Sequence, residues 1–423
     1  RATVIEITAL RAERAALLGY PSFAAYAAAD ETAGSVEAIA ALLDEVGTAA
    51  ATVARAEAEG LTAALHADGH RGPLQPWDWP YYAARERRER RHSDEGHLQQ
   101  HFELGRVLRE GCFAMAEQLY GLRFEPLEEA PRPEGDDVWV FGVREGDGAE
   151  RGVLYLDPFA RDGKGGGAWM DLLADPAPHI GQRPLVTVQL NVPHPAAGAP
   201  ALLTPLEVRI LFHEFGHALH ALLADSAYAC IGGVNVPFDV VEFPSKFHEA
   251  LAYRPELLAR YARHHETGVP LAAADVAALE AIVRDSAAAT IVRGTANEQL
   301  DQAWHGLAVG ETVTDVDAFE AAVLERCGLV VDGLDFHYRS SFFDHVFEGF
   351  YAGRHYSYLW SGVLEAIAVD WLDASGGLTR AAGARLREDV LARGALADPA
   401  AVLAGLTGRA WSAEPLLRQR GLI

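Results

Sequence analysis

The sequence predicts a mainly α-helical protein of two lobes, with one small β-sheet set between runs of helix. Three observations predict it. About the first 125 residues are alanine-rich with helical periodicity. Strand-type runs are confined to residues 138–190. Helical texture then resumes to the C-terminus, with no internal repeat and no low-complexity linker. At 423 residues and 50% hydrophobic content the chain can bury enough core for two lobes. We place a helical lobe at 1–90 and a larger lobe at 91–423, with residues from about 272 to 325 packing back on the first.

In chain order, Arg1 lies inside a helix-like stretch, which reads as a trimmed start. Ser35 is placed to cap a helix beginning at Val36. Arg85 to Arg91 is a basic run with Glu86 and Glu89 interleaved, the pattern of a solvated helix face rather than a phosphate site. Strands are expected at Val138–Phe141, at Val153–Leu156 across a Gly146-Asp147-Gly148 turn, and at Leu185–Leu190. Gly165-Gly166-Gly167 lacks the Gly-Lys-Ser/Thr ending of a phosphate loop, which excludes nucleotide binding there.

The next helix has its own start signal. Thr204 as N-cap, Pro205 at the first helical position and Glu207 at the third form a capping box. Leu206, Ile210, Leu211, Phe215, Ala218 and Leu222 follow as an apolar stripe. This helix carries His213-Glu214-Phe215-Gly216-His217. Residues i and i+4 share a helix face, so both imidazoles can reach one zinc ion, with Glu214 beside them as a general base toward water. A third protein ligand is needed. Downstream, a glycine-rich connection leads to a second helix whose Asp239, Glu242 and Glu249 fall near one face. Any of them could ligate while the others hold the imidazoles by hydrogen bonds.

The segment from Leu211 to Glu249 resembles the thimet oligopeptidase and peptidyl-dipeptidase family of zinc metallopeptidases, whose HEFGH is followed by a DFVE-type segment. Other landmarks stand in family order: Gly19–Phe23, Pro76–Tyr82, Lys164–Asp171, Tyr356–Trp360 and Pro415–Leu422. The resemblance covers essentially the whole chain. It implies a two-lobed helical metallopeptidase with a deep channel, a small sheet beside the zinc helix, and the N-terminal part of the family fold missing. It assigns Glu242, 25 residues after His217, as the third zinc ligand. It places His345, Tyr351 and Tyr358 facing the zinc, where phenols can donate to a developing oxyanion. It sets Gly233 and Asn235 in a loop beside the cleft; with Glu242 as ligand, the spacing leaves Asp239 and Glu249 to hold the imidazoles.

Departures from the family stand beside these matches. His355 replaces a tyrosine and introduces a group that can titrate near neutral pH. Glu348-Gly349-Phe350 stiffens a glycine loop and adds a charge. Gly232-Gly233-Val234 stands for Ser-Gly-Thr, and Lys246 for glutamine. The resemblance implies hydrolysis of short peptides with release of C-terminal dipeptides. The alternatives are internal cleavage by an oligopeptidase, or a zinc-retaining peptide binder or dedicated biosynthetic peptidase with weak general hydrolysis. An edge strand beside the zinc helix would suit an extended peptide. A monomer is expected, or a partner chain supplying the missing N-terminal segment.

The formal charge of −24 argues against a nucleic-acid partner. Cys112, Cys230 and Cys327 are odd in number and lack metal-ligand spacing, so they read as buried, reduced thiols. No run spans a membrane and no signal peptide is visible, which points to the cytoplasm. His264-His265-Glu266 lacks ligand spacing and is expected at the surface.

Overall fold

The computed structural model describes residues 1–91, 95–132, 137–285, 287–336 and 338–423, without the side chains of 87, 89–91, 95, 280–285 and 400. Helices fill both ends of the chain and one five-stranded sheet lies in the middle. The helices that build the site are α1 (Ala2–Leu17), α2 (Val36–Ala67), α3 (Pro205–Leu223), α4 (Phe243–Leu251), α5 (Ala287–His305) and α6 (Ser357–Ala374).

Ser35 Oγ accepts from Ala38 N at 3.2 Å, so α2 starts where its cap predicts. One face of α2 buries Ile39, Leu42, Leu43 and Val46, then Ala50, Ala51 and Ala54. These small side chains let α5 pack closely on it: a Cβ at Gly47 would stand 2.9 Å from a Thr295 methyl. Of the basic run, Arg85 pairs with Asp68. The side chains of Arg87, Arg90 and Arg91 lie outside the described residues.

The strands are β1 (Arg123–Pro126), β2 (Trp139–Arg144), β3 (Glu150–Phe159), β4 (Trp169–Ala174) and β5 (Leu185–Val192), in the order β1-β2-β3-β5-β4. The expected hairpin joins β2 to β3. Two strands were not legible. β1 is short and largely exposed, and β4 alternates without a buried face. β4 pairs antiparallel with β5 and forms one edge, against α3. Lys164 leads into it, pairing with Asp157 and donating to the Phe159 and Leu190 carbonyls, while Asn191 Nδ2 holds the Gly165 and Gly167 carbonyls. The ammonium that a phosphate loop would present is therefore spent inside the fold.

α3 forms from its capping box as written: Thr204 Oγ1 accepts from Glu207 N, and Glu207 Oε2 accepts from Thr204 N. Its far end is capped by Arg151, whose Nε donates to the Leu222 carbonyl. Val208, Leu211, Phe212, Phe215, Leu219 and Leu222 are buried in the core. Leu206 is the exception, 62% exposed, because it sits in the first turn before the helix enters the core.

Candidate metal and active site

The site is made where α3 crosses α4. Gly216 permits the contact: a Cβ there would lie 2.7 Å from Ser245 Cα and 2.8 Å from the Pro244 carbonyl oxygen. The histidines of this motif carry a recognisable spacing, whereas the glycine between them carries none. The second helix begins later than expected. Glu242 occupies the position just before it, with Pro244 in its first turn, and Asp239 lies in a separate turn at Phe238–Val240.

His213 Nε2 and His217 Nε2 each lie 3.3 Å from the same oxygen, Oε2 of Glu242. Ligands about 2.0–2.2 Å from a tetrahedral ion stand about 3.4 Å from one another. The three groups thus converge as a donor set for one divalent ion. His213 donates its other nitrogen, Nδ1, to Glu249 Oε2 at 3.0 Å, which leaves Nε2 facing the ion position. Arg209 holds the second Glu249 oxygen, a partner the sequence reading missed. Ser245 Oγ donates to Glu242 Oε2 at 3.0 Å, and Tyr351 Oη donates to Oε1 at 3.2 Å.

Burial pushes the Glu242 carboxyl up, but the two imidazoles outweigh it and hold it well below its ordinary range. Burial pulls His213 down, but Glu242 and Glu249 overcome this and push it up to about 9. Glu214 is buried on the same helix turn, and burial raises its pKa against the pull of both imidazoles.

The tyrosines arrive on a loop and on the start of α6. Tyr351 and Tyr358 stack face to face at 5.0 Å, and Phe238 packs edge-on against Tyr351. Burial, with Glu242 adding to it, raises both phenols well above their ordinary range, so both stay protonated donors. His345 stands 5.5 Å from the Tyr351 ring, half exposed and beside Asp344. Two groups behind the loop hold it. Asp301, fully buried on α5, accepts from Gly353 N, His355 N and His305 Nδ1. Arg11 of α1 reaches His305 Nε2 and the Val346 and Phe347 carbonyls.

Several expectations are corrected. Asp239 does not support an imidazole: it accepts from Thr32 N, Thr32 Oγ1, Ala33 N and Tyr356 Oη, fastening the segment before α2 behind the site. His355 does not titrate near neutrality, because burial pulls it down to about 4. Gly233, at φ +58°, packs near Ala221 one helical turn beyond His217, while Asn235 Nδ2 donates to the Ala229 carbonyl and braces the same loop. Cys112 is buried as expected, but Cys230 is exposed. His264 and His265 are half-buried and stacked, and with Glu266 their ligand atoms come within 4.8 Å of one another. His264 Nδ1 already accepts from Glu266 N, and His265 Nε2 already pairs with Gln100.

The pattern of Peptidase family M3 matches residues 1–422. The chain belongs to this family. It is 38% identical over 428 residues to a dipeptidyl carboxypeptidase of Escherichia coli K12, covering 100% of this chain and 62% of that protein. It is 30% identical over 433 residues to oligopeptidase A of the same organism, covering 99% and 62%. The chain therefore spans about three-fifths of the relatives it matches. Among solved structures, an M32 carboxypeptidase from Deinococcus radiodurans R1 superimposes with a TM-score of 0.55 at 15% identity, over 98% of this chain and 72% of that one. PZ peptidase A gives 0.57 at 14%, over 97% and 62%. These likenesses bear on the fold alone. The family implies a divalent metal, and the His213–His217–Glu242 donor set fits one.

Proposed function

We propose that this M3 chain carries the hydrolytic centre of a zinc peptidase that releases dipeptides from the C-termini of short peptides. The observation that carries the reading is the meeting of both imidazole nitrogens on one Glu242 oxygen, with buried Glu214 on the same turn. When bound, zinc supplies Lewis acidity for the scissile carbonyl and acidifies a water. Glu214 takes the proton of that water and passes it to the leaving amine. Its raised pKa brings it toward the range in which a carboxyl can both accept and return a proton. Tyr351 and Tyr358, held protonated, donate to the developing oxyanion or to the substrate backbone. His345 supports them from the solvent side. Glu249 and Ser245 keep His213 and Glu242 aimed. The exposed edge of β4 receives the peptide backbone. The three free cysteines suit a reducing compartment such as the cytoplasm.

Dipeptide release is favoured by the 38% identity to a dipeptidyl carboxypeptidase. Internal cleavage is the second reading, favoured by the similarity to oligopeptidase A. Peptides with free and amidated C-termini distinguish them, with products read by mass. Dipeptide release blocked by amidation and by a chelator is expected. Equal cleavage of both series at internal bonds would move the assignment to the second reading.

A further inference from the structure

A cavity of about 520 Å³ lies beside the metal site, walled by α3, α4, α6 and the chain near Arg420. Pockets of this size hold small organic ligands. Most of its charged walls are satisfied: Arg209 is held by Glu249, and Arg254 lies 2.5 Å from Asp373. Two groups are not fully so. Lys246 makes no hydrogen bond or ion pair among the described residues, and its ammonium rests 5.8 Å from the Tyr358 ring centre. Glu365 is 2% exposed, and its Oε2 forms an ion pair with Arg420 at 3.5 Å but accepts no hydrogen bond. An ammonium and a buried carboxyl oxygen, neither of them hydrogen-bonded, thus line one cavity. A ligand donor would complete the bonding of that oxygen.

We propose that this cavity is a second binding site, for a small zwitterion such as a free amino acid or dipeptide. Its carboxylate meets Lys246 and its ammonium meets Glu365. Neither a simple anion nor a simple cation satisfies both walls. Burial pushes Glu365 up to about 7, so an incoming ammonium has an acidic group to ionise against. The cavity shares Glu249 with the metal site, since the residue that lines it also holds His213 Nδ1. Occupancy therefore acts on the hydrolytic centre through Glu249, without filling the place where a peptide is cut. If the chain releases dipeptides, its own products belong to the class of ligand the cavity accepts.

The test is calorimetric titration of the zinc-loaded protein with Ala-Ala, beside N-acetyl-Ala-Ala and Ala-Ala amide. Binding needs no turnover, so the outcome is independent of whether the hydrolytic reading holds. A binding event that Lys246→Met and Glu365→Gln each weaken about tenfold or more is expected, since each removes one charge-assisted contact. Either blocked dipeptide should lose the same event. Where turnover is measurable, inhibition by Ala-Ala should include a non-competitive component. A single site, indifferent to both substitutions and purely competitive with peptide, would overturn the proposal. Should a variant fail to fold, Ala-Ala binding to the unaltered protein with a hydrolysis-resistant peptide filling the metal site still decides: retained binding is expected, and its loss would overturn the proposal.

Discussion

Glu249 shows how much of this site rests on groups that hold the inferred metal ligands in place. One of its oxygens fixes the His213 ring by accepting from Nδ1, and Arg209 fixes the other. Burial alone would push this carboxyl up, but His213 and Arg209 hold it far below its ordinary range, so it stays ionised. Glu249→Ala removes the only acceptor recorded for His213 Nδ1 among the described residues. A fall in metal affinity of about 10–100-fold is expected, measured by competition with a chromophoric chelator. Unchanged affinity would mean that packing, not this hydrogen bond, sets the ring. His213 and His217 are legible from the motif and Glu242 from the family pattern, whereas spacing alone leaves Glu249 as one of three carboxylates. Asp239 was misassigned for a physical reason: its partners, Thr32 and Ala33, lie more than 200 positions away. No local pattern records such a bond.

At the scale of the element, the site depends on the closeness of α3 and α4. Gly216 is the point of contact, and α4 follows a turn that leaves Glu242 at its mouth. Gly216→Ala would press a methyl into the α4 backbone, where nothing flexible can yield. A loss of about 1–3 kcal/mol of stability is expected from such overpacking, together with weakened metal binding as Glu242 is pushed aside. Thermal unfolding and metal titration check the two effects. A neutral outcome in both would show that the helices can separate without cost. α3 itself was readable from Thr204 to Leu222 because cap, periodicity and motif agree. β1 and β4 were not, since an exposed strand and an edge strand lack the apolar alternation that marks a half-buried one.

At the scale of the molecule, three distant stretches converge on one loop. Arg11 of α1 and Asp301 of α5 hold the segment that carries His345, Tyr351 and His355, and Tyr351 then touches Glu242. The sequence displays the tyrosines but not what holds them. Arg11 lies 335 positions from the carbonyl it grips. The mainly helical architecture and the place of the sheet were legible, because texture changes sharply along the chain.

The proposed hydrolysis requires a metal held by His213, His217 and Glu242, with Glu214 moving the proton. It is tested most directly by comparing zinc content and peptide turnover in the unaltered protein and in Glu214→Gln. One ion per chain in both is predicted, with turnover falling by about 10²–10⁴-fold in the variant. A variant that binds zinc and cleaves at the full rate would contradict it.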